Sequence, residues 1–103
     1  MQAIVHCQSL AEVRQHIDTL DRELVRLIAQ RGEYVRQAAA LKTRADEIPA
    51  PARVAEALAR VDALASELGA ERSVVAAVWR SMMDAFIRCE QRAHAALHPP
   101  SPH

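Results

Sequence analysis

Residues 9–42 read SLAEVRQHIDTLDRELVRLIAQRGEYVRQAAALK, and the spacing of apolar residues in this stretch predicts one long helix. Ser9 and Glu12 form the S-x-x-E pattern of a capping box, which is typical of a helix N-terminus. Apolar residues then recur at intervals of three and four: Val13, Ile17, Leu20, Leu24 and Leu27. Since the next proline is Pro49, the first helix is predicted to run from about Leu10 to about Arg44.

This predicted helix is long for the size of the chain. At about 1.5 Å per residue it would measure ~50 Å. A compact domain of 103 residues has a diameter of only ~35 Å, so the helix would extend beyond it. Its apolar seam then needs a partner, and a twofold pair of long helices that share one core is the simplest arrangement. We therefore expect an intertwined helical homodimer.

Two shorter helices follow the first. The segment DEIPAPARV at 46–54 predicts a connection, and Pro51 suits the first turn of a second helix. Gly69 predicts the end of that helix. A third helix begins at Ser73, or at Glu71 just before it, and ends near Leu97. The expected inward faces are Val54, Leu58, Val61, Leu64 or Ala65, and Leu68 on the second helix, and Val75, Val78 or Trp79, Met82, Phe86 and Cys89 on the third.

The sequence therefore predicts an all-α, three-helix chain with a long first helix. Residues 1–8 form an N-terminal extension and residues 9–97 the helical domain. The last segment, HPPSPH at 98–103, is predicted to be a disordered tail.

The composition excludes several classes of function. Formal net charge is zero and the pI is about 7.0, which argues against non-specific binding to nucleic acid or anionic membranes. There is no run of apolar residues long enough to span a membrane, and no signal-peptide pattern, so we expect a cytoplasmic protein. Cys7 and Cys89 lie far apart without metal-type spacing, and two reduced thiols are expected.

Two cations interrupt the apolar seam of the first helix. The position after Leu27 in the series is Arg31, and Lys42 lies eleven residues further on. Eleven residues are close to three full turns, so the two share a face to within ~20° and lie ~16 Å apart along the axis. Each could reach water or pair with a carboxylate such as Glu33 or Asp46. Together they could also bind one small anion along the groove.

Three further charged residues extend this pattern. Arg53 opens the second helix, where a cation is unfavourable to the helix dipole. Arg14 either pairs with Asp18 on its own helix or, in a dimer, faces the partner subunit. Glu90 lies on or beside the apolar face of the third helix, unless it is an ordinary exposed glutamate.

Several cations and one carboxyl group suggest a site for a small dicarboxylate, because the arginine fork binds carboxylates through two hydrogen bonds. There is no glycine-rich phosphate loop, H-E-x-x-H motif or nucleophile elbow. The five histidines are dispersed without ligand spacing, so neither a metal nor another cofactor is expected. Chemistry at such a site would proceed by positioning and electrostatics.

The chain resembles the all-helical class of chorismate mutases, and within it the branch that contains isochorismate pyruvate lyase. The resemblance rests on LAEVRQHIDTLDRELVRLIAQRGEYV, the following LK, IPAPARV and VWRSMMDAFIRCEQ, which together cover most of the chain. It implies an intertwined dimer of three-helix chains that converts chorismate to prephenate.

The resemblance also implies roles for the charged residues. Arg14 would enter the partner's site, and Arg31 and Arg53 would help to bind the substrate's carboxylates. Lys42 would lie near the ether oxygen of the substrate. Glu90 matches a glutamine in most of the family and a glutamate in some members, and it can donate a hydrogen bond only when protonated.

The residues around the expected site depart from typical bacterial mutases. Ala50 and Val54 stand where those mutases have acidic residues, and Phe86 replaces a small polar residue. These changes resemble the lyase, which releases salicylate and pyruvate from isochorismate, whereas Glu90 departs from the lyase's glutamine. We interpret the chain as a mutase, because the family's lyase shares that activity. The alternatives are the lyase and a non-catalytic helical dimerisation module.

Overall fold

Three α-helices form the protein in a computed structural model, which describes residues 3–42, 44, 48 and 50–97. Helix α1 is Leu10–Leu41, α2 is Pro51–Leu68 and α3 is Arg72–Leu97. No strand occurs among the described residues, and the predicted all-α fold is confirmed. The predicted disordered tail at 98–103 lies outside the described residues.

The chain divides into two units, Met1–Glu33 and Tyr34–His103, and α1 runs through the boundary. In the first unit, the capping box forms at the start of α1. The Glu12 backbone N–H donates to Ser9 Oγ over 3.2 Å, and the Gln8 N–H donates to Glu12 Oε2 over 2.9 Å. These bonds satisfy donors that a helix N-terminus leaves without intrahelical partners, which explains why α1 begins at Leu10.

The apolar seam of α1 in the first unit faces solvent. The exposed fraction of its residues ranges from 39% at Val13 to 56% at Leu24. The values for Ile17, Leu20 and Leu27 lie between these two. A continuous stripe of half-exposed aliphatic side chains is typical of a surface that another helix covers.

In the second unit, α2 and α3 pack against each other. The core side of α2 consists of Ala57, Val61 and Ala65, which repeat every four residues and form one ridge. Met83 is the apolar residue that α3 buries most deeply. Two of the three ridge residues are alanines, which take up little room between the helices.

The predicted faces were wrong at two positions. Leu68 is exposed on α2, and the free thiol Cys89 is exposed on α3. Of the alternatives left open, Ala65 is buried and Leu64 is exposed, and Trp79 is half-buried and Val78 is exposed. On α3 the buried residues are Met83, Glu90 and His94. Neighbouring residues on an α-helix point about 100° apart, so Cys89 faces away from the core when Glu90 faces towards it.

A short turn joins α2 to α3. Gly69 adopts the left-handed conformation, with φ of 74°, and both its N–H and that of Ala70 donate to the Ala65 carbonyl. Arg72 then donates two hydrogen bonds to the Asp62 carboxylate, over 2.9 and 2.7 Å. These bonds to the Arg72 guanidinium hold the pKa of Asp62 below its ordinary value. The glycine and the ion pair together fix the α2–α3 hairpin.

Helix α1 ends at Leu41, three residues before the predicted Arg44. The Lys42 N–H still donates to the Ala38 carbonyl of α1 over 3.1 Å, and the Lys42 carbonyl accepts a hydrogen bond from the α3 residue His94. Local propensity places the end of a helix only to within a few residues, which accounts for the difference.

Candidate active site

Lys42 and Glu90, the two residues expected to be catalytic, form an ion pair in the second unit. Lys42 Nζ donates to Glu90 Oε1 over 2.6 Å, although the residues are 48 positions apart in sequence. The side chains are only 24% and 10% exposed, respectively. The expected alternative of an exposed glutamate at position 90 is therefore wrong.

The sequence of α3 explains why Glu90 is inside. Met83, Glu90 and His94 are spaced by seven and four residues, so they lie on one face of the helix. That face is the one α3 turns inward, because Met83 is buried on it. A carboxylate at this depth needs a cation, and Lys42 supplies it.

His94 also contacts Lys42, and it was not among the residues selected from the sequence. Its Nε2 lies 3.0 Å from the Lys42 carbonyl oxygen. The histidines are dispersed in the sequence, but the spacing of four residues between Glu90 and His94 is a signal that could have linked these two. One face of α3 thus contacts both the side chain and the backbone of Lys42.

Lys42 is also the sole lysine in the sequence, whose other twelve basic residues are arginines. A lysine ammonium is a compact charge with three N–H donors. Glu90 Oε1 accepts one of them, so two remain to donate to a ligand. Lys42 is therefore equipped to bind an oxygen atom while Glu90 fixes its direction.

Arg53 lies in the first turn of α2, as predicted, and is exposed to solvent. It pairs with Glu56 over 2.7 Å, and Arg60 approaches the same carboxylate at 3.6 Å. Exposed ion pairs of this kind contribute only about 0–1 kcal/mol. Arg53 could therefore exchange Glu56 for the carboxylate of a ligand at little cost.

Arg14 and Arg31 belong to the first unit, on α1. Arg14 is exposed, and Arg31 is half-buried. Of the five residues that the sequence analysis selected, the structure brings Lys42 and Glu90 into contact. The assignment of Arg14, Arg31 and Arg53 to the same site stays a prediction.

Two features are absent from the described part of the chain. No three or more of its His, Cys, Asp and Glu residues are grouped so that they could hold a metal ion. None of its helices combines the length and apolar character needed to cross a membrane. The expected cytoplasmic location stays a prediction.

The fold and the site define a class of protein. It is all-helical, and a lysine that follows one helix pairs with a glutamate on the inner face of another. The family model described as chorismate mutase type II matches residues 13–91. The chain belongs to this family. It is also similar to isochorismate pyruvate lyase from Pseudomonas aeruginosa, with 32% identity over 81 residues, which cover 79% of this chain and 80% of the relative.

We expect Glu90→Gln to lower the free energy of unfolding by about 1–3 kcal/mol, because it removes the charge that partners a partly buried ammonium. The matched control is Glu56→Gln, which alters an ion pair of similar length, 2.7 Å, at a side chain that is 66% exposed. That control should change the free energy by at most about 0.5 kcal/mol. Urea unfolding at one protein concentration measures both. Equal losses would contradict a special role for the buried pair.

Proposed function

We propose that the protein is a chorismate mutase that rearranges chorismate to prephenate. The observation that carries the proposal is the partly buried Lys42 ammonium, held by Glu90, in a chain of the type II chorismate mutase family. The reaction breaks the ether C–O bond of the substrate and forms a C–C bond within the same molecule. It needs no nucleophile, no net proton transfer and no cofactor.

Lys42 would act on the oxygen of the breaking bond. Negative charge builds on that oxygen as the C–O bond lengthens, and a hydrogen bond from the ammonium stabilises it. Removal of one such donor from an enzyme typically costs about 10²–10³-fold in rate. Low exposure strengthens this effect, because fewer water molecules screen the charge. Glu90 orients the ammonium, and when protonated it could also donate a hydrogen bond itself.

The arginines would bind and fold the substrate. We propose that Arg31 and Arg53 bind its carboxylates and that Arg14 reaches the site from a partner subunit. Fixing both carboxylates holds the enolpyruvyl arm over the ring, which is the geometry that reacts. The weak, exposed pair of Arg53 with Glu56 supports its availability for this role.

This arrangement requires a second chain, and we propose an intertwined homodimer. The half-exposed apolar seam of α1 supports it, because such a stripe is unfavourable in water and suits a second copy of the same helix. A twofold axis would use the stripe of each chain to cover that of the other.

The second candidate function is isochorismate pyruvate lyase, which the similarity to the Pseudomonas aeruginosa lyase favours. Ala50, Val54 and Phe86 also resemble the lyase pattern. In that reaction the same C–O bond breaks, a ring hydrogen moves to the methylene carbon of the enolpyruvyl group, and salicylate and pyruvate form. Lys42 would have the same role, since the charge again develops on the ether oxygen.

A side-by-side assay with chorismate and isochorismate distinguishes the two functions. We expect prephenate from chorismate and little salicylate from isochorismate. Efficient release of salicylate and pyruvate would instead establish the lyase. Turnover of neither substrate would leave the helical dimerisation module.

Mixed dimers test whether Arg14 acts across the interface. We expect Arg14→Ala and Lys42→Ala each to be nearly inactive alone. After the two variants are unfolded together and refolded at equal concentrations, about half of the dimers would be mixed. Each mixed dimer would have one site with both residues intact, so about a quarter of the wild-type activity should return. No recovery would mean that both residues serve the same site from one chain, or that no dimer forms.

A further inference from the structure

We propose that His94 is a positioning residue that fixes the backbone of Lys42, so that Glu90 can aim its ammonium at the substrate. This inference rests on the proposed function for the role of Lys42 in turnover. The contact itself does not depend on that function. The geometry assigns His94 a task that the family's substrate-binding cations and Glu90 do not perform.

The hydrogen bond has one direction. A carbonyl oxygen only accepts, so His94 Nε2, 3.0 Å from Lys42 O, must carry the hydrogen and donate it. His94 is only 5% exposed, so water has little access to compete for the carbonyl. The bond is therefore a fixed link between α3 and the residue that follows α1.

The position of Lys42 in the chain makes this link necessary. Leu41 is the last residue of α1, and the backbone of Lys42 is no longer held by helical geometry on its C-terminal side. The lysine side chain adds a flexible four-carbon stem between backbone and ammonium. The Lys42 N–H donates to the Ala38 carbonyl over 3.1 Å, which anchors the N-terminal side of the residue to α1. The ion pair restricts the ammonium, so the carbonyl side of the residue is the part that His94 holds.

Glu90 and His94 together hold both ends of Lys42. They are one helical turn apart on α3, about 6 Å along its axis. Glu90 binds the ammonium at 2.6 Å, and His94 binds the carbonyl at 3.0 Å. One rigid face of α3 thus holds both ends of a single residue, and the loss of either contact should loosen the other end.

The expected consequence is a loss of rate rather than of affinity. A catalytic group misplaced by about 1 Å can cost up to about 10²-fold in rate. In this proposal His94 donates to the backbone of Lys42 and not to the substrate, so substrate affinity should change little. We expect His94→Leu to lower kcat about tenfold or more while KM stays within about threefold.

Two variants separate positioning from general packing. His94→Gln places an amide N–H near the position of Nε2, and it should restore kcat to within about threefold of the wild type. Met83→Ala is the matched packing control, since Met83 is buried on the same face of α3. Even if Met83→Ala lowers the free energy of unfolding as much as His94→Leu does, it should leave kcat nearly unchanged. If His94→Leu does not fold, His94→Asn replaces it, because its amide ends one methylene short of the carbonyl.

A second measurement is independent of turnover. Because Lys42 is the sole lysine, an amine-selective acylating reagent labels the folded chain at Lys42 and at the N-terminal amine, which mass spectrometry resolves. Glu90 Oε1 blocks one approach to Nζ. We expect His94→Leu to raise the labelling rate of Lys42 several-fold, whereas His94→Gln and Met83→Ala should not.

The two readouts distinguish the failure of this inference from the failure of the proposed function. Without turnover in the wild type the proposed function fails, and faster labelling in His94→Leu still establishes that His94 holds Lys42. An unchanged labelling rate in His94→Leu overturns the inference. It is equally overturned if Met83→Ala matches His94→Leu in kcat, or if His94→Gln restores neither kcat nor labelling.

Discussion

The ion pair between Lys42 and Glu90 is the interaction on which the functional account depends. Moving an ammonium and a carboxylate out of water costs several kcal/mol per ion, and the attraction between them repays this only when the geometry is good. The two charged groups are 2.6 Å apart, so the geometry of the pair is good. Their side chains are only 24% and 10% exposed, so both have lost most of their contact with water. A leucine–leucine contact would hold residue 42 against α3 more simply. A charged pair at this place is therefore better explained by the chemistry it allows than by stability.

Local sequence patterns determined much of the fold. The capping box at Ser9 and the αL glycine at Gly69 placed helix ends correctly, because each satisfies backbone groups within a few residues. Lys42 and Glu90 were both identified from charges on apolar faces. Their contact was not, because no periodic pattern reports a pairing across 48 positions. The same limitation explains why the contact of His94 with the Lys42 carbonyl, across 52 positions, was missed.

The exposed apolar seam of α1 in the first unit needs to be covered. This seam is 39% exposed at Val13 and 56% exposed at Leu24, and Arg14 and Arg31 lie on the same helix. An arginine beside an apolar stripe gains most from its fork when a neighbouring surface excludes water. Burial of the stripe by a second copy would thus strengthen the binding of anions at these arginines. In this account, assembly and substrate binding use the same surface.

The most direct test of the central claim observes the Lys42 ammonium itself. In ¹⁵N-labelled protein the sole lysine gives one ζ-nitrogen NMR signal, which can be followed as prephenate, the proposed product, is added. We predict that this signal shifts and reaches half of its full displacement at a prephenate concentration equal to the inhibition constant of prephenate. A signal that stays in place while prephenate binds and inhibits would show that Lys42 does not contact the ligand, and it would contradict the account.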